Sequence, residues 1–376
     1  MHLILERADL LKSLSHAQSV VERRNTIFIL GNVLLNASAE ATDITATDME
    51  IEIRERVPAE VRTAGSVTAP AHMLYEIVRK LPEGSQVEIK TDKSGDRITL
   101  SAGRSRFKLG TLPVSDFPQM PAGDLGRRFA MTAGDLRQLI DRTKFAISTE
   151  ETRYYLNGIY LHATDGGEGN QVLRAVATDG HRMARFELPA PKGAEDMAGI
   201  IVPRKTMMEV RKLLEESNDD VNLELSESKI RFTFGEGLVL ASKLIDGTFP
   251  NYERVIPSNQ DKSLSAPTKD LAAAVDRVAT IAASERIARG VKLALSSGRL
   301  VVSAESSETG SATEELDAVY EGENLEIGFN ARYLLDVLQQ VEGDRVLFGL
   351  TDSASPALVH DAATTKALFV LMPMRV

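Results

Sequence analysis

A threefold echo runs through the sequence and restricts the chain to an architecture of three similar parts. Each third opens with an extended run that leads into Asp-Leu at the head of a helical pattern. These openings are LILERADLLKSL at 3–14, FAMTAGDLRQLI at 129–140 and LSAPTKDLAAAV at 264–275. The anchors Asp9, Asp135 and Asp270 recur at intervals of 126 and 135 residues. A second strand-to-helix passage follows in each third: VTAPAHMLYEIVRKL at 67–81, IIVPRKTMMEVRKLL at 200–214 and IGFNARYLLDVLQQV at 327–341. Its anchors Pro70, Pro203 and Asn330 recur at 133 and 127. Two independent anchors with similar periods make chance repetition a poor account.

Between these passages the apolar residues alternate. In the first third ILGNVLLNA, ITATDMEIEI, QVEIKTD, RITLSAG and RFKLGTL read as half-buried antiparallel strands. Each third is therefore expected to be a doubled β-α-β-β-β unit of about 125 residues, in an α+β fold with two helices against antiparallel sheet. Helices are predicted over 8–20, 71–81, 133–147, 204–215, 269–282 and 331–341. Pro, Gly and polar residues collect near 123–128 and 259–263, which divides the chain into 1–126, 127–261 and 262–376.

Charge narrows the function classes. Lys and Arg number 44 against 54 Asp and Glu, a net charge of −10, which as a whole opposes wrapping by nucleic acid. The six predicted helices instead carry 13 basic and 9 acidic residues, so the excess negative charge lies elsewhere. In the helix at 204–215, Met207, Val210 and Leu214 share one side, while Arg204, Lys205, Arg211 and Lys212 share the other. That segregation readmits a polyanionic partner. Cysteine is absent, which removes disulfides, thiolate metal sites and cysteine nucleophiles and suits a reducing cytoplasm. Early charges at Glu6, Arg7 and Asp9 leave no signal-peptide core, and no apolar run reaches the ~18 residues of a membrane span.

Enzyme motifs are missing: the sequence holds no Walker A, HExxH, GxSxG or dinucleotide GxGxxG pattern. The six histidines are scattered singly, without metal-site spacing, and no cofactor is expected. One acid–base arrangement is available, Asp179 with His181 in VATDGHRMA, where the acid would orient an imidazole base. The plainer reading is a strand-end turn whose side chains satisfy backbone groups. RYYLNG at 153–158 reads as an aromatic strand entering a hairpin, and FPNYERV at 249–255 as sheet edge and loop. The chain ends LFVLMPMRV, an apolar methionine-rich tail that is either docked in the last sheet or part of an adaptable groove for peptides.

These segments together resemble the β sliding clamp family of bacterial DNA polymerase III. The resemblance covers the whole chain through ILGNVLL, TDMEIEI, SRFKLGTLPVSDFP, RYYLNG, VATDGHRMA, IVPRK, SKLIDGTFPNYERVIP, IGFN with YLLDVL, LTDSASPA and the terminal MPMR. It implies a DNA-clamp fold of three repeated domains and a ring-forming, head-to-tail homodimer around duplex DNA, with helices lining the hole. It also implies a processivity factor without catalysis, tethering the polymerase, the clamp loader and other partners through short Gln- and Leu/Phe-bearing peptides.

Carried over by position, the implied peptide pocket takes Arg153 and Leu156 from the first segment and Thr178, Gly180, His181, Arg182 and Met183 from the second. Pro250, Arg254 and Val255 come from the third, and Val370, Met372, Pro373, Met374 and Arg375 from the tail. Implied DNA contacts are Arg24, Arg204 and Lys205. The implied dimer face sets Phe107 and Leu109 against Ile281 and Ala282. At 148–151 the chain reads Ser-Thr-Glu-Glu, which places carboxylates where the family carries a polar loop. Two other classes fit the residues less fully: a three-repeat peptide scaffold that never encircles DNA, and a hydrolase built on Asp179 and His181.

Overall fold

The structure, a computed structural model, describes the chain except for residues 122, 124, 168, 217, 218, 283–289, 308 and 376 and the side chain of Ala282. Part of the expected boundary at 123–128 and the Ala282 side chain thus lie outside the described residues. Six helices are present among them: α1 Arg7–Val20, α2 Ala71–Lys80, α3 Ala133–Asp141, α4 Arg204–Glu216, α5 Thr268–Ala282 and α6 Ala331–Leu338. Each third runs strand, helix, three strands, and repeats that order once; Glu60–Thr63 and Val319–Glu321 are short additions. The apolar spacing explains the helices, as in α2, where Ala71, Leu74 and Val78 form one buried stripe. No helix among the described residues is long and apolar enough to cross a membrane.

Two compact units divide the chain. The first comprises Met1–Arg137, Pro191–Ala194 and Lys205–Leu244, the second Gln138–Ala190, Glu195–Arg204 and Ile245–Val376. In the first, an eight-stranded antiparallel sheet crosses from one repeat to the next where Ile51–Pro58 pairs with Leu238–Lys243, in the register Glu55 to Leu238 and Ile51 to Ser242. In the second, a nine-stranded sheet makes the same passage where Arg182–Pro189 pairs with Thr364–Leu371, from Arg182–Leu371 to Phe186–Ala367. The middle third thus gives strands to both. A five-stranded sheet completes the first unit and ends on Ser105–Gly110; a four-stranded sheet completes the second and ends on Gly310–Asp317.

Local chemistry corrects four expectations. The segment ITATDMEIEI is a hairpin, not one strand: Asp48 Oδ1 accepts the N–H groups of Glu50 and Ile51 at 2.9 and 2.7 Å, and Met49 takes a φ of 77°. ILGNVLLNA begins as a 3-10 turn, Phe28–Gly31, before its strand starts at Asn32. The helix expected to 147 stops at Asp141, because Thr143 leaves helical geometry and donates its hydroxyl to Leu139 O; a 3-10 turn follows at Lys144–Ala146. RYYLNG lies mostly in a 3-10 helix, Glu151–Leu156, and its strand begins only at Gly158.

The charge pattern on α4 also changes. Lys205 is half-buried, with Nζ 2.6 Å from Asp48 Oδ2 and 3.1 Å from Glu22 Oε1; Lys212 pairs with Glu209 and Arg211 with Glu215. With the observed bounds the six helices carry 12 basic and 10 acidic residues, a thinner excess than the sequence windows suggested.

His16 on α1 is the buried ionic joint of the first unit. Its Nδ1 is 2.8 Å from Glu55 Oε2 on the strand Ile51–Pro58, and its Nε2 is 3.2 Å from Glu216 Oε2 at the end of α4. Burial, the largest single effect, favours the neutral ring, but the hydrogen bonds and charges of Glu55 and Glu216 together raise its pKa above 6.5. Burial works against the Glu216 carboxylate as well, yet His16 and Lys12 hold its pKa below the ordinary value. A raised histidine stabilises fully below its unfolded value and loses that contribution as pH climbs through the folded one. The lowered Glu216 fails only at acid pH, so the joint is strongest between the two. His16→Gln should therefore lower the melting temperature by a few degrees near pH 6, as expected from about 1.5–3 kcal/mol for a hydrogen bond to a charged group, and by less near pH 9. A gap that stays constant with pH in calorimetric scans would remove the ionic role.

Candidate functional site

Five segments of the second unit converge on one apolar floor. Leu156, Val176, Met183, Ile201, Phe249, Tyr252 and Val370 are buried together, with Tyr155, Tyr160, Ile256 and Leu358 packed against them. Tyr160 and Phe249 stack at 4.7 Å with their planes 3° apart. Above this floor stand apolar side chains that the fold leaves in solvent: Tyr154, Val255 and Met372 are 54%, 50% and 42% exposed. Large exposed apolar groups gathered in one place mark a docking surface. The tail is docked: Met372 N–H donates to His181 O and Met374 N–H to Gly328 O, both at 2.9 Å.

The rim at 178–182 is a tight turn held by its own side chains. Thr178 Oγ1 accepts from Gly180 N–H at 3.1 Å, and Asp179 Oδ1 accepts from the N–H groups of His181 and Arg182, each at 2.9 Å. Gly180 has a φ of 87°, a left-handed conformation that side chains rarely adopt, so the turn favours glycine. Asp179 Oδ2 meets Arg182 Nε at 3.2 Å, while the His181 ring stacks on Tyr333 with centroids 6.0 Å apart. The carboxylate is thus spent on backbone and guanidinium groups and does not orient the imidazole. The catalytic arrangement gives way to the plainer turn.

Of the pocket residues expected from the sequence, Arg153, Gly180, His181, Pro250, Arg254, Val255, Met372 and Arg375 are exposed, and Thr178, Pro373 and Met374 half-buried. Leu156, Met183 and Val370 form the floor. Arg182 is only 8% exposed and lies behind the groove. Its guanidinium sits 4.3 Å from the Tyr333 ring centroid and 5.2 Å from that of Phe145, donates to Phe145 O at 2.6 Å and pairs with Asp336. It ties the rim to α6.

A second support was missed from the sequence. Arg174 is buried, with Nε donating to Glu187 Oε2 at 2.8 Å and Nη1 to the Tyr252 hydroxyl at 2.9 Å. His162 hydrogen-bonds the same hydroxyl at 3.0 Å. Burial raises the Tyr252 pKa despite Arg174, and burial lowers that of His162. This network anchors the 3-10 turn Tyr252–Val255, which carries Arg254 and Val255 to the groove. The available signal was two charges, Arg174 and Glu187, inside apolar strands and directly cross-strand partners.

Arg24 is exposed in the loop after α1, and Arg204 is the exposed first residue of α4; among the described residues neither makes an ion pair. Lys205, by contrast, is taken up by Asp48 and Glu22. Phe107 and Leu109 lie half-buried on the edge strand Ser105–Gly110, and Ile281 half-buried at the end of α5.

A fold of repeated βαβββ units, six helices against antiparallel sheets, is that of a three-domain DNA clamp. Family models of the DNA polymerase III beta subunit match along the chain: the N-terminal domain over residues 1–121, the central domain over 130–251 and the C-terminal domain over 253–375. A beta sliding clamp of Caulobacter vibrioides (strain NA1000 / CB15N) is 51% identical over 376 residues, covering 100% of both chains. That of Escherichia coli (strain K12) is 38% identical with the same coverage. A crystal structure of the Bartonella birtlesii sliding clamp bound to griselimycin matches with a TM-score of 0.96 at 46% identity, covering 100% of both chains. The chain belongs to the beta sliding clamp family, the beta subunit of DNA polymerase III.

The groove's two layers separate by mutation. Met372→Ala removes an exposed side chain and should leave the melting temperature unchanged while weakening a Gln-Leu-Phe-type peptide about tenfold, the worth of burying such a group. Met183→Ala, in the floor, should cost stability as well, by about 2–5 kcal/mol. Calorimetric titration that finds Met372→Ala binding as tightly as the native protein would move the site elsewhere.

Proposed function

We propose that two copies of this chain, each of three domains (1–126, 127–261 and 262–376), close head to tail into a ring that encircles duplex DNA. The ring tethers the polymerase, the clamp loader and other partners through the groove. The observation that carries this reading is a pair of complementary sheet edges. Ser105–Gly110 ends one sheet and presents exposed Arg106 and Lys108, with Arg104 just before it. Gly310–Asp317 ends another and carries an exposed Asp317, while its Glu314 and Glu315 are paired to Arg277 and Arg299 of the same chain. Among the described residues no further strand pairs with either edge, and opposite charge favours the unlike pairing over the like. Phe107 and Leu109 from one side and Ile281 from the other would supply the apolar contact. Thr309 donates its hydroxyl to Ile281 O at 2.7 Å, which places that residue beside the acidic edge.

Retention by encirclement fits the charge. A chain of net −10, with a thin cationic excess on its helices, is poorly suited to gripping phosphates, and loose contact leaves the ring free to slide. Arg24 and Arg204, which make no ion pair among the described residues, are available for that contact; Lys205, neutralised by two carboxylates, serves more to fix α4. The role needs no cofactor and no catalytic residue, and belongs in the cytoplasm.

Ile281→Arg would place an unpaired charge in the subunit contact, at a cost of roughly several kcal/mol, and should shift the native particle to monomer in light scattering. A fully dimeric variant at nanomolar concentration would exclude this face. Rings loaded on nicked circular DNA should survive high salt and leave when the circle is cut once. Should salt strip them while cutting has no effect, the protein is an electrostatic binder and encirclement fails.

A further inference from the structure

The groove accounts for three of the large apolar side chains left exposed, but a second group of four lies in the first unit: Ile27, Phe28, Met49 and Met73. Phe28 is 83% exposed, the highest value among them. These positions surround one end of α1. Lys205 Nζ donates to Val20 O at 3.1 Å and holds Asp48, next to Met49. The His72 ring, next to Met73, hydrogen-bonds Val21 O at 3.0 Å. Asn32 pairs with Pro70, which brings residues 28–31 alongside the first turn of α2.

The local packing does not use the Phe28 ring. In the 3-10 turn Phe28–Gly31, Ile29 and Leu30 turn inward to Leu34 and Phe117, and Phe28 is directed to solvent. Four and five residues before it stand Arg24 and Arg23, both exposed and, among the described residues, without ion-pair partners. Glu22, the one carboxylate of the loop, is engaged by Lys205. An aromatic face beside two free guanidinium groups has the composition that holds single-stranded nucleic acid: the ring stacks on a base while the cations meet the flanking phosphates. An acidic apolar peptide would answer the same charge, but peptide binding already has a groove with a floor, whereas here the apolar groups stand proud on a loop. Intact duplex offers phosphates to the arginines and nothing to the ring.

We propose that the loop of residues 22–28 is a single-strand DNA site, in which Phe28 stacks on an unpaired base and Arg23 and Arg24 hold the adjoining phosphates. The site would engage the unpaired template beside a primer end, and so extends the clamp reading without depending on ring closure.

The test uses the full-length protein and a fluorescent oligo-dT strand, with a blunt duplex of equal length as control. Phe28→Ala should weaken oligo-dT binding fivefold or more and leave duplex binding unchanged, in line with the stacking contribution of one base. Phe28→Tyr should bind as the native chain does. Phe28→Trp should show quenched fluorescence on adding oligo-dT, and Arg23→Ala with Arg24→Ala should flatten the salt dependence of binding. Unchanged oligo-dT affinity in Phe28→Ala, or no quenching in Phe28→Trp, overturns the proposal, as does a Phe28→Ala defect confined to clamp-loader binding. Retention of Phe28→Ala rings on nicked circles reports separately on encirclement.

Discussion

Backbone ladders that run from one repeat into the next hold this protein in its form. Five residue pairs join Ile51–Pro58 to Leu238–Lys243, and five join Arg182–Pro189 to Thr364–Leu371. Each ladder buries polar backbone groups that would otherwise lie at a sheet edge, and in doing so extends an antiparallel sheet to eight or nine strands. The helices pack on sheets of that extent, and the charges between elements, such as His16 between Glu55 and Glu216, refine a geometry the ladders have already set. The peptide groove depends on the same constraint. The pairing of Met183 with Val370 places two floor residues from different repeats side by side.

Much of this was legible in the chain because it is written in local patterns. The double strand-helix opening in each third, the stripe of Ala71, Leu74 and Val78 and the alternation in RITLSAG each reflect a periodicity that depends on nearest neighbours. The misreadings came where a side chain overrode the pattern. Asp48 captures two backbone donors and folds TDMEIEI back on itself, though Ile51 and Ile53 continue the apolar alternation. Thr143 ends α3 inside a segment of good helical composition. Lys205 looked like part of a basic face because Asp48 and Glu22, more than 150 residues away in sequence, are invisible to a helical wheel.

The groove shows the same division. Its segments are implied by the family resemblance and the apolar tail, and Val255 and Met372 among them stand exposed. What spacing could not convey is which residues touch a partner and which hold the others up. The resemblance implies Arg182 as a pocket residue, yet it is buried against two aromatic rings and bonded to Asp179, Phe145 O and Asp336. Arg174 reads as an anomaly in an apolar strand, yet it anchors Tyr252. A buried arginine is tolerated only when its donors are met, and those acceptors come from several elements at once.

The division of the middle third between the two units bears on how such a chain could have arisen and how it fails. A repeat protein is ordinarily modular, so that one copy removed leaves the others whole. Here a fragment ending at the first repeat would leave the strand Ile51–Pro58 with no neighbour on the side that Leu238–Lys243 covers. Its apolar residues Ile51, Ile53 and Val57 would remain on an open edge suited to capture the same strand from another molecule. Truncated or incompletely synthesised chains are therefore prone to exchange strands with one another. The sequence could have been duplicated piece by piece, but once the sheets had fused it could no longer be taken apart along the seams that built it.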